Sequence, residues 1–458
     1  MKNLNRDKIN FEETNIPRLF AMILIPTLMG LIFGGLLNIA DGIFVGKGIG
    51  SDALAAVNVA APIYLVSSAI ALMFGTGVSI IAAVHIAHRN FKAANINITQ
   101  ALAVPAIVGL LFGIAIYVFA PQLCYLFGGS QQLEPFVVTY LRSISSIPFL
   151  TVFFFVGAFV IRLDGSPRYA MMCNIIPSVL NIFLDWLFVF PLGMGLLGAG
   201  IATSLSMFVG AVMTMSYMTY FSHVIKVYRL KLSRTSFYLT GRNLLEMCRL
   251  GFATFIGDMA ITCMLITGNY MFMNYLHEDG VAAYSVCCYL FPLVFMFGNA
   301  VAQSQLPIIS FNKGLGKQER VNATFRLSVG STTICGCIIV LCSIFGCASI
   351  LSLFLDEVSP AYQIATQGFP LFSLSFLFFS LNIVIIGFYQ SIKYARESNL
   401  FMLLRGIILL IPAFIIMPRL WGVTGLWLAV PASEFLTFCI ILMTTIASRK
   451  KLFGISKY

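Results

Sequence analysis

Charged side chains are scarce in this 458-residue chain: Asp, Glu, Lys and Arg together make up 10%, while 59% of residues are hydrophobic. A soluble globular protein carries about a quarter charged residues, so the scarcity excludes that class and points to lipid as the solvent. The four histidines, His85, His88, His223 and His277, all fall in expected connections, which argues against a zinc site. Eleven cysteines contain no CxxC pair. The CxC at Cys335 and Cys337 puts its thiols on different faces of a helix, so the cysteines read as small buried hydrophobes rather than metal ligands. No G-x-x-x-x-G-K-[ST] phosphate loop occurs, and Gly314 to Lys317 lacks both its spacing and the following hydroxyl. ATP is therefore not expected as the direct energy source, and no cofactor is expected. Nucleophile-elbow and H-E-x-x-H motifs are missing too, so nothing in the chain supports an enzyme. The period-two alternation of a membrane β-barrel is also absent. The net charge of +11 comes from basic residues scattered over short connections, which argues against a nucleic-acid partner.

What is present is a succession of apolar segments of membrane-spanning length. They fall at 18–43, 53–84, 94–119, 134–160, 169–190 and 196–221, then at 244–275, 281–311, 321–349, 359–388, 397–417 and 423–447. Gly, Pro and charges mark the joints, as at Gly46 to Gly50, Pro121, Pro191 and Pro418. The chain thus reads as an all-α membrane protein of about 12 transmembrane helices. Lys and Arg cluster before the first span and after every even-numbered one, whereas the alternate loops hold only Lys47 and Arg419. By the positive-inside rule both termini are expected in the cytoplasm, with the chain multi-pass in the cell (inner) membrane. The first fifteen residues are polar and lead directly into a span, so no cleavable signal is expected.

The halves resemble one another at an offset of about 227 residues: Ala55-Ala56 falls on Ala282-Ala283, Asn95 on Asn322, and Asp164 near Ser391. Six spans per repeat place both repeats in the same orientation, the plan of an alternating-access transporter built from two pseudo-symmetric six-helix bundles. The expected division is an N-lobe at 1–221, a basic cytoplasmic linker at 222–243 and a C-lobe at 244–458.

Charges inside hydrocarbon are costly and mark candidate sites. Four acids qualify: Asp41, Asp185, Asp258 and Glu434. Asp41 lies six residues before Lys47, and Asp185 six before Pro191, so the two share a depth of about 9 Å below the outer ends of spans one and five. Asn181 is one helical turn before Asp185, and Thr203 enters span six at a comparable level. Two carboxylates, an amide and a hydroxyl suit Na⁺, or a proton held between paired acids. The bland readings are an Asp-Gly turn for Asp41, interhelical glue for Asp258, and for Glu434 a structural ion pair with Arg405. Pro26 and Pro177 permit bends within their spans. The abundant Phe and Tyr are expected chiefly to face lipid and other helices, while offering surfaces to a flat cation.

The stretch NIADGIFVGKGIGSDALAAVNVAAPIY (38–64) resembles the multidrug and toxic compound extrusion family. The likeness continues in RLDGSPRYA (162–170), GFYQSIKYARES (387–398), and GMGLLGAGIATSLS (193–206) with its echo WGVTGLWLAVPASE (421–434). The resemblance implies two six-helix bundles that open alternately to either side and exchange an organic cation for H⁺ or Na⁺. It further implies an N-lobe cation pocket of Asp41, Asn181, Asp185, Thr203 and Tyr140, with Pro26 as the bending proline of the first span. A C-lobe pair of acids, used by one sodium-coupled branch, would need Asp258 and a partner in span ten, but residues 359–388 contain no acid.

The expected function is export of small organic cations from the bilayer-embedded protein, with no obligate protein partner. The alternative is a flippase for a lipid-linked precursor, which would need basic residues facing the centre; only Arg142 and Arg405 are embedded.

Overall fold

The computed structural model describes residues 9–127, 130–230 and 233–448, and among these the fold is all-α, with no strand. In chain order the helices are α1 (Ile16–Gly48), α2 (Ser51–Ala87), α3 (Phe91–Val118), α4 (Ala120–Leu126), α5 (Glu134–Ser143), α6 (Ile147–Thr151), α7 (Gly157–Leu163), α8 (Pro167–Val189) and α9 (Gly195–Ser216). The second half holds α10 (Arg234–Gly314), α11 (Gln318–Phe345), α12 (Cys347–Leu351), α13 (Pro360–Ser391), α14 (Ala395–Leu403) and α15 (Leu410–Ala447). Single turns of π-helix occur at Val152–Val156, Tyr217–Phe221 and Leu404–Ile408.

Among the described residues nine helical stretches are long and apolar enough to cross a membrane, and ten if α5 and the helix after its 40° bend count as one span. Two of them contain a sharp break. α10 turns at His277, whose φ is 54°, and α15 turns at Trp421 and Gly422. Counting each side of those breaks gives twelve spans, and the breaks fall where the sequence places connections. His85 is the exception among the histidines, lying in the last turn of α2 rather than in a loop. Pro418 likewise lies inside α15, just before its break. Lipid explains the plan, because a backbone without water must pair its own N–H and C=O groups within helices.

The chain divides into two compact units, one of residues 9–14 and 21–251, the other of residues 15–20 and 252–448. The first has a core of small and aliphatic side chains, including Ala53, Ala56, Ala60, Ile63, Leu141, Ile144 and Ala199. The second has an aromatic core. Phe272 stacks on Tyr284 with ring centroids 4.5 Å apart and meets Trp427 edge-on at 4.7 Å, and Phe291 meets Phe379 at 4.3 Å. Such edge-on and stacked pairs add to the burial of apolar area. Gly368 makes room for the Trp427 ring, since a Cβ there would lie 1.9 Å from it.

Within the first unit, residues 222–230 follow α3 as an extended strap. Asn95 of α3 grips the strap at both ends of its side chain: Nδ2 donates to the Val224 carbonyl at 3.0 Å, and Oδ1 accepts from the Lys226 N–H at 2.9 Å. One turn on, Thr99 Oγ1 accepts from the Tyr228 N–H at 2.9 Å. Buried Asp164 completes the attachment by accepting from the Tyr217 hydroxyl at 2.7 Å and from the N–H groups of His223 and Val224 at 3.0 Å. Gln100 then holds the start of α10, donating to Thr240 Oγ1 at 2.8 Å and accepting from Asn243 Nδ2 at 2.9 Å.

The aromatic core yields a stability prediction. Gly368→Val forces the rigid indole of Trp427 to move and is expected to cost about 1–3 kcal/mol, read as a lower unfolding temperature of the detergent-purified protein. Gly34→Ala, where a Cβ meets nothing within 4 Å, is expected to leave that temperature unchanged or slightly raised.

Candidate functional site

The site is assembled where α1 lies beside α8. Gly30 lies against Asn174, and Gly48 against Val189 and Phe190, so the two helices run in the same direction. Phe44 and Phe190 close the far end with an edge-on ring contact at 5.9 Å. Asp41 is eleven residues beyond Gly30, and Asp185 is eleven beyond Asn174, which puts the two carboxylates at one level along the parallel pair.

Asp185 is fully buried, and neither of its carboxylate oxygens has a protein hydrogen-bond partner. Asn181, one turn earlier on the buried face of α8, has an unpartnered Nδ2, and Asp41, half-buried, an unpartnered Oδ1. The charges of Asp41 and Asp185 interact with each other. Both also act on Tyr140 of α5, which in turn interacts with Tyr64 of α2. Tyr140 is held there by the approach of α9: Gly200 lies against Ser143 and Tyr140, and Ser204 Oγ donates to the Ser143 carbonyl at 2.7 Å.

Thr203, one turn from Ala199 on α9, donates its hydroxyl to the Ala199 carbonyl at 3.0 Å. That bond uses its only hydrogen and leaves its lone pairs as acceptors. The structure therefore puts Asp41 and Asp185 at one level, within electrostatic range of each other and of Tyr140, with Asn181 on the same face of α8 as Asp185. Thr203 stands on α9 and makes no hydrogen bond to either acid. Tyr64 joins the cluster without having been singled out by the sequence, although it closes the stretch 38–64 that carried the family likeness. Its separation from Tyr140 along the chain gave no other signal. Pro26 lies inside α1, which stays helical through it, and Pro177 likewise sits inside a continuous α8.

The other two acids lie in the second unit and are handled differently. Glu434 of α15 accepts from Arg405 Nε at 2.8 and 3.0 Å and from Asn382 Nδ2 at 2.8 Å. Arg405 sits on a π-helical turn, with its guanidinium carbon 3.9 Å from the centroid of the Phe379 ring. A cavity of about 10 Å³, the size of one water, adjoins the pair between Ala260, Met264 and Phe291. Asp258 is half-buried on α10 and makes no hydrogen bond or ion pair among the described residues. No group of three or more His, Cys, Asp and Glu side chains converges anywhere among the described residues. The acid pair and the Asn181 amide gather oxygen atoms, the kind of donor that hard cations prefer.

Comparison with known proteins identifies the family. The chain matches MatE over residues 26–187 and 253–415, one match in each half. It belongs to the MatE family, the multidrug and toxic compound extrusion (MATE) transporters, and is a multi-pass membrane protein. The multidrug export protein MepA of Staphylococcus aureus strain MRSA252 is 21% identical over 422 residues, covering 91% of this chain and 90% of MepA. The MepA of Staphylococcus saprophyticus is 20% identical over 421 residues, with the same shares covered. Among solved structures, an outward-facing multidrug resistance MATE transporter of the MOP superfamily superposes with a TM-score of 0.86 at 20% identity, covering 96% of this chain and 98% of that one. A Pyrococcus furiosus MOP-superfamily transporter, described as having a binding pocket of reverse polarity that suggests a different function, gives 0.87 at 19% identity, covering 97% and 98%.

The second-unit ion pair has a measurable consequence. Arg405→Met leaves Glu434 buried without its cation and is expected to cost about 3–5 kcal/mol, seen as a large fall in unfolding temperature. The double variant Arg405→Met, Glu434→Met is expected to regain most of that loss. A single and a double variant of equal stability would show that the pair carries no such coupling.

Proposed function

We propose that this chain is a secondary active antiporter that exports small organic cations, drugs among them, in exchange for H⁺ or Na⁺ by alternating access. The observation that carries the reading is the pair of carboxylates, Asp41 and Asp185, level with one another inside one helical unit and lacking protein donors at three of their four oxygens. Two like charges in apolar surroundings repel and are poorly solvated. A bound proton, a sodium ion or a cationic substrate relieves both penalties, and each removes the reason to bind another. Mutual exclusion at one pocket is what exchange of two cations requires.

In this reading Asn181 and Thr203 lend oxygen atoms to Na⁺ when it is the coupling ion, and Tyr140 borders the pocket. Pro26, which removes one backbone hydrogen bond from α1, lets that helix bend as the pocket changes charge. The membrane-embedded lobes comprise residues 1–221 and 244–458, joined by 222–243. Both termini lie in the cytoplasm, with the chain in the cell (inner) membrane, as the distribution of Lys and Arg supports. Asp258 is a secondary candidate for attracting the substrate. A lipid-precursor flippase is less well supported, since Arg405 is already committed to Glu434, and the named relatives are export proteins for drugs.

The test is dye efflux in proteoliposomes under a pH gradient or a Na⁺ gradient imposed separately. One gradient is expected to drive flux. Asp41→Asn and Asp185→Asn are each expected to lower it about tenfold or more, equivalent to roughly 1.4 kcal/mol at the limiting step, without changing the unfolding temperature by more than a few degrees. Undiminished flux in the double Asn variant would remove these residues from the mechanism.

A further inference from the structure

The segment after α9 carries more cationic surface than a connection needs. Residues 222–243 contain Lys226, Arg229, Lys231, Arg234 and Arg242 and no acid at all. Its backbone is tied down at His223, Val224, Lys226 and Tyr228 by Asn95, Thr99 and Asp164, and the start of α10 by side-chain bonds from Thr240 and Asn243 to Gln100. The side chains left facing outward are therefore presented in a fixed array. Lys226, Arg229, Arg234 and Arg242 are all exposed.

The first turns of α10 show how the array is built. On one side, Thr240 and Asn243 bond to Gln100, and Met247 and Leu250 are buried. On the opposite side, Arg234, Tyr238, Arg242 and Leu245 follow one another at helical spacing along one stripe, with Phe237 at its edge. Phe237 is 65% exposed, Tyr238 74% and Leu245 71%. Exposed aromatic rings beside Arg are an unusual face to offer to bulk water. They suit the border of a bilayer, where rings sit at headgroup level and Lys and Arg reach phosphate.

We propose that this basic and aromatic face, from Lys226 to Leu245, is a docking surface for anionic phospholipids, with Arg234 and Arg242 on the phosphate groups and Phe237, Tyr238 and Leu245 among the glycerol and upper acyl groups. Charge complementarity commits it to an anionic lipid, because a cluster of four or more Lys and Arg adjoining a membrane span attracts acidic headgroups, and guanidinium forks match phosphate oxygens. The proposal rests on the membrane placement given above but not on Asp41, Asp185 or the identity of the coupling ion. A wrong coupling assignment therefore leaves it standing.

The experiment is native mass spectrometry of the full chain equilibrated with equal amounts of phosphatidylglycerol and phosphatidylcholine, scored as the ratio of the two bound lipids. Wild type is expected to favour phosphatidylglycerol, and the preference to weaken as salt rises. Arg234→Gln with Arg242→Gln is expected to reduce the preference about tenfold or more. Lys47→Gln with Arg419→Gln, which removes two exposed charges on the other side of the bilayer, is expected to leave it within about twofold, since the effect falls off within a Debye length. Phe237→Ser with Tyr238→Ser keeps every charge, so its orientation in the membrane is preserved, and it is expected to lower total lipid retention. No preference in wild type, or equal losses from the two charge pairs, would overturn the proposal.

Discussion

Lack of water inside the bilayer is the constraint on which the rest of this molecule depends. It drives the backbone into helices, and it requires every embedded polar side chain to find a partner from the protein or from what the protein carries. The acids show three outcomes of that requirement. Glu434 is answered by Arg405 and Asn382, and Asp164 by a tyrosine hydroxyl and two backbone N–H groups. Asp41 and Asp185 are answered by neither. The protein can supply donors to buried carboxylates, yet it leaves three of the four oxygens of Asp41 and Asp185, and the half-buried Asp258, without one; the proposed exchange site rests on the first two.

The two units meet the constraint with different materials. The first unit has a core of Ala and medium-sized aliphatic side chains, and Gly198 and Gly200 let α9 approach α8 and α5 closely. The second interlocks aromatic rings around Phe272, Tyr284 and Trp427. A densely interlocked aromatic core tolerates little volume change. Internal repetition of the fold thus does not extend to internal repetition of chemistry: where the first half carries Asn181 and Asp185, the corresponding stretch near Ile408 and Pro412 follows a π-helical turn that aims Arg405 at Glu434.

The strap at 222–230 is a polar solution on the same principle. A connection between two apolar helices has many unpaired N–H and C=O groups, and α3 supplies Asn95 and Thr99 at one-turn spacing to satisfy several of them. The pairing turns a connection that composition marks only as basic and less apolar into part of the first unit's surface, and so fixes which of its side chains face outward.

Helix number, all-α class and family were legible in the sequence because they depend on local quantities: hydropathy over about twenty residues, the placement of Lys and Arg, and short stretches such as 38–64. The common depth of Asp41 and Asp185 was legible too, since a helix converts residue number into distance at a fixed 1.5 Å per residue. Tertiary structure alone decided that α1 and α8 lie side by side in parallel, that Tyr64 comes to Tyr140, and that Thr203 turns its hydroxyl back to Ala199. It also decided that Asp164 anchors the strap and that His85 belongs to a helix end. These depend on rotation of helices about their axes and on contacts between residues far apart in the chain. Hydropathy averaged along a segment that is apolar all round contains no direction, so the sequence could place each residue in depth but not in azimuth.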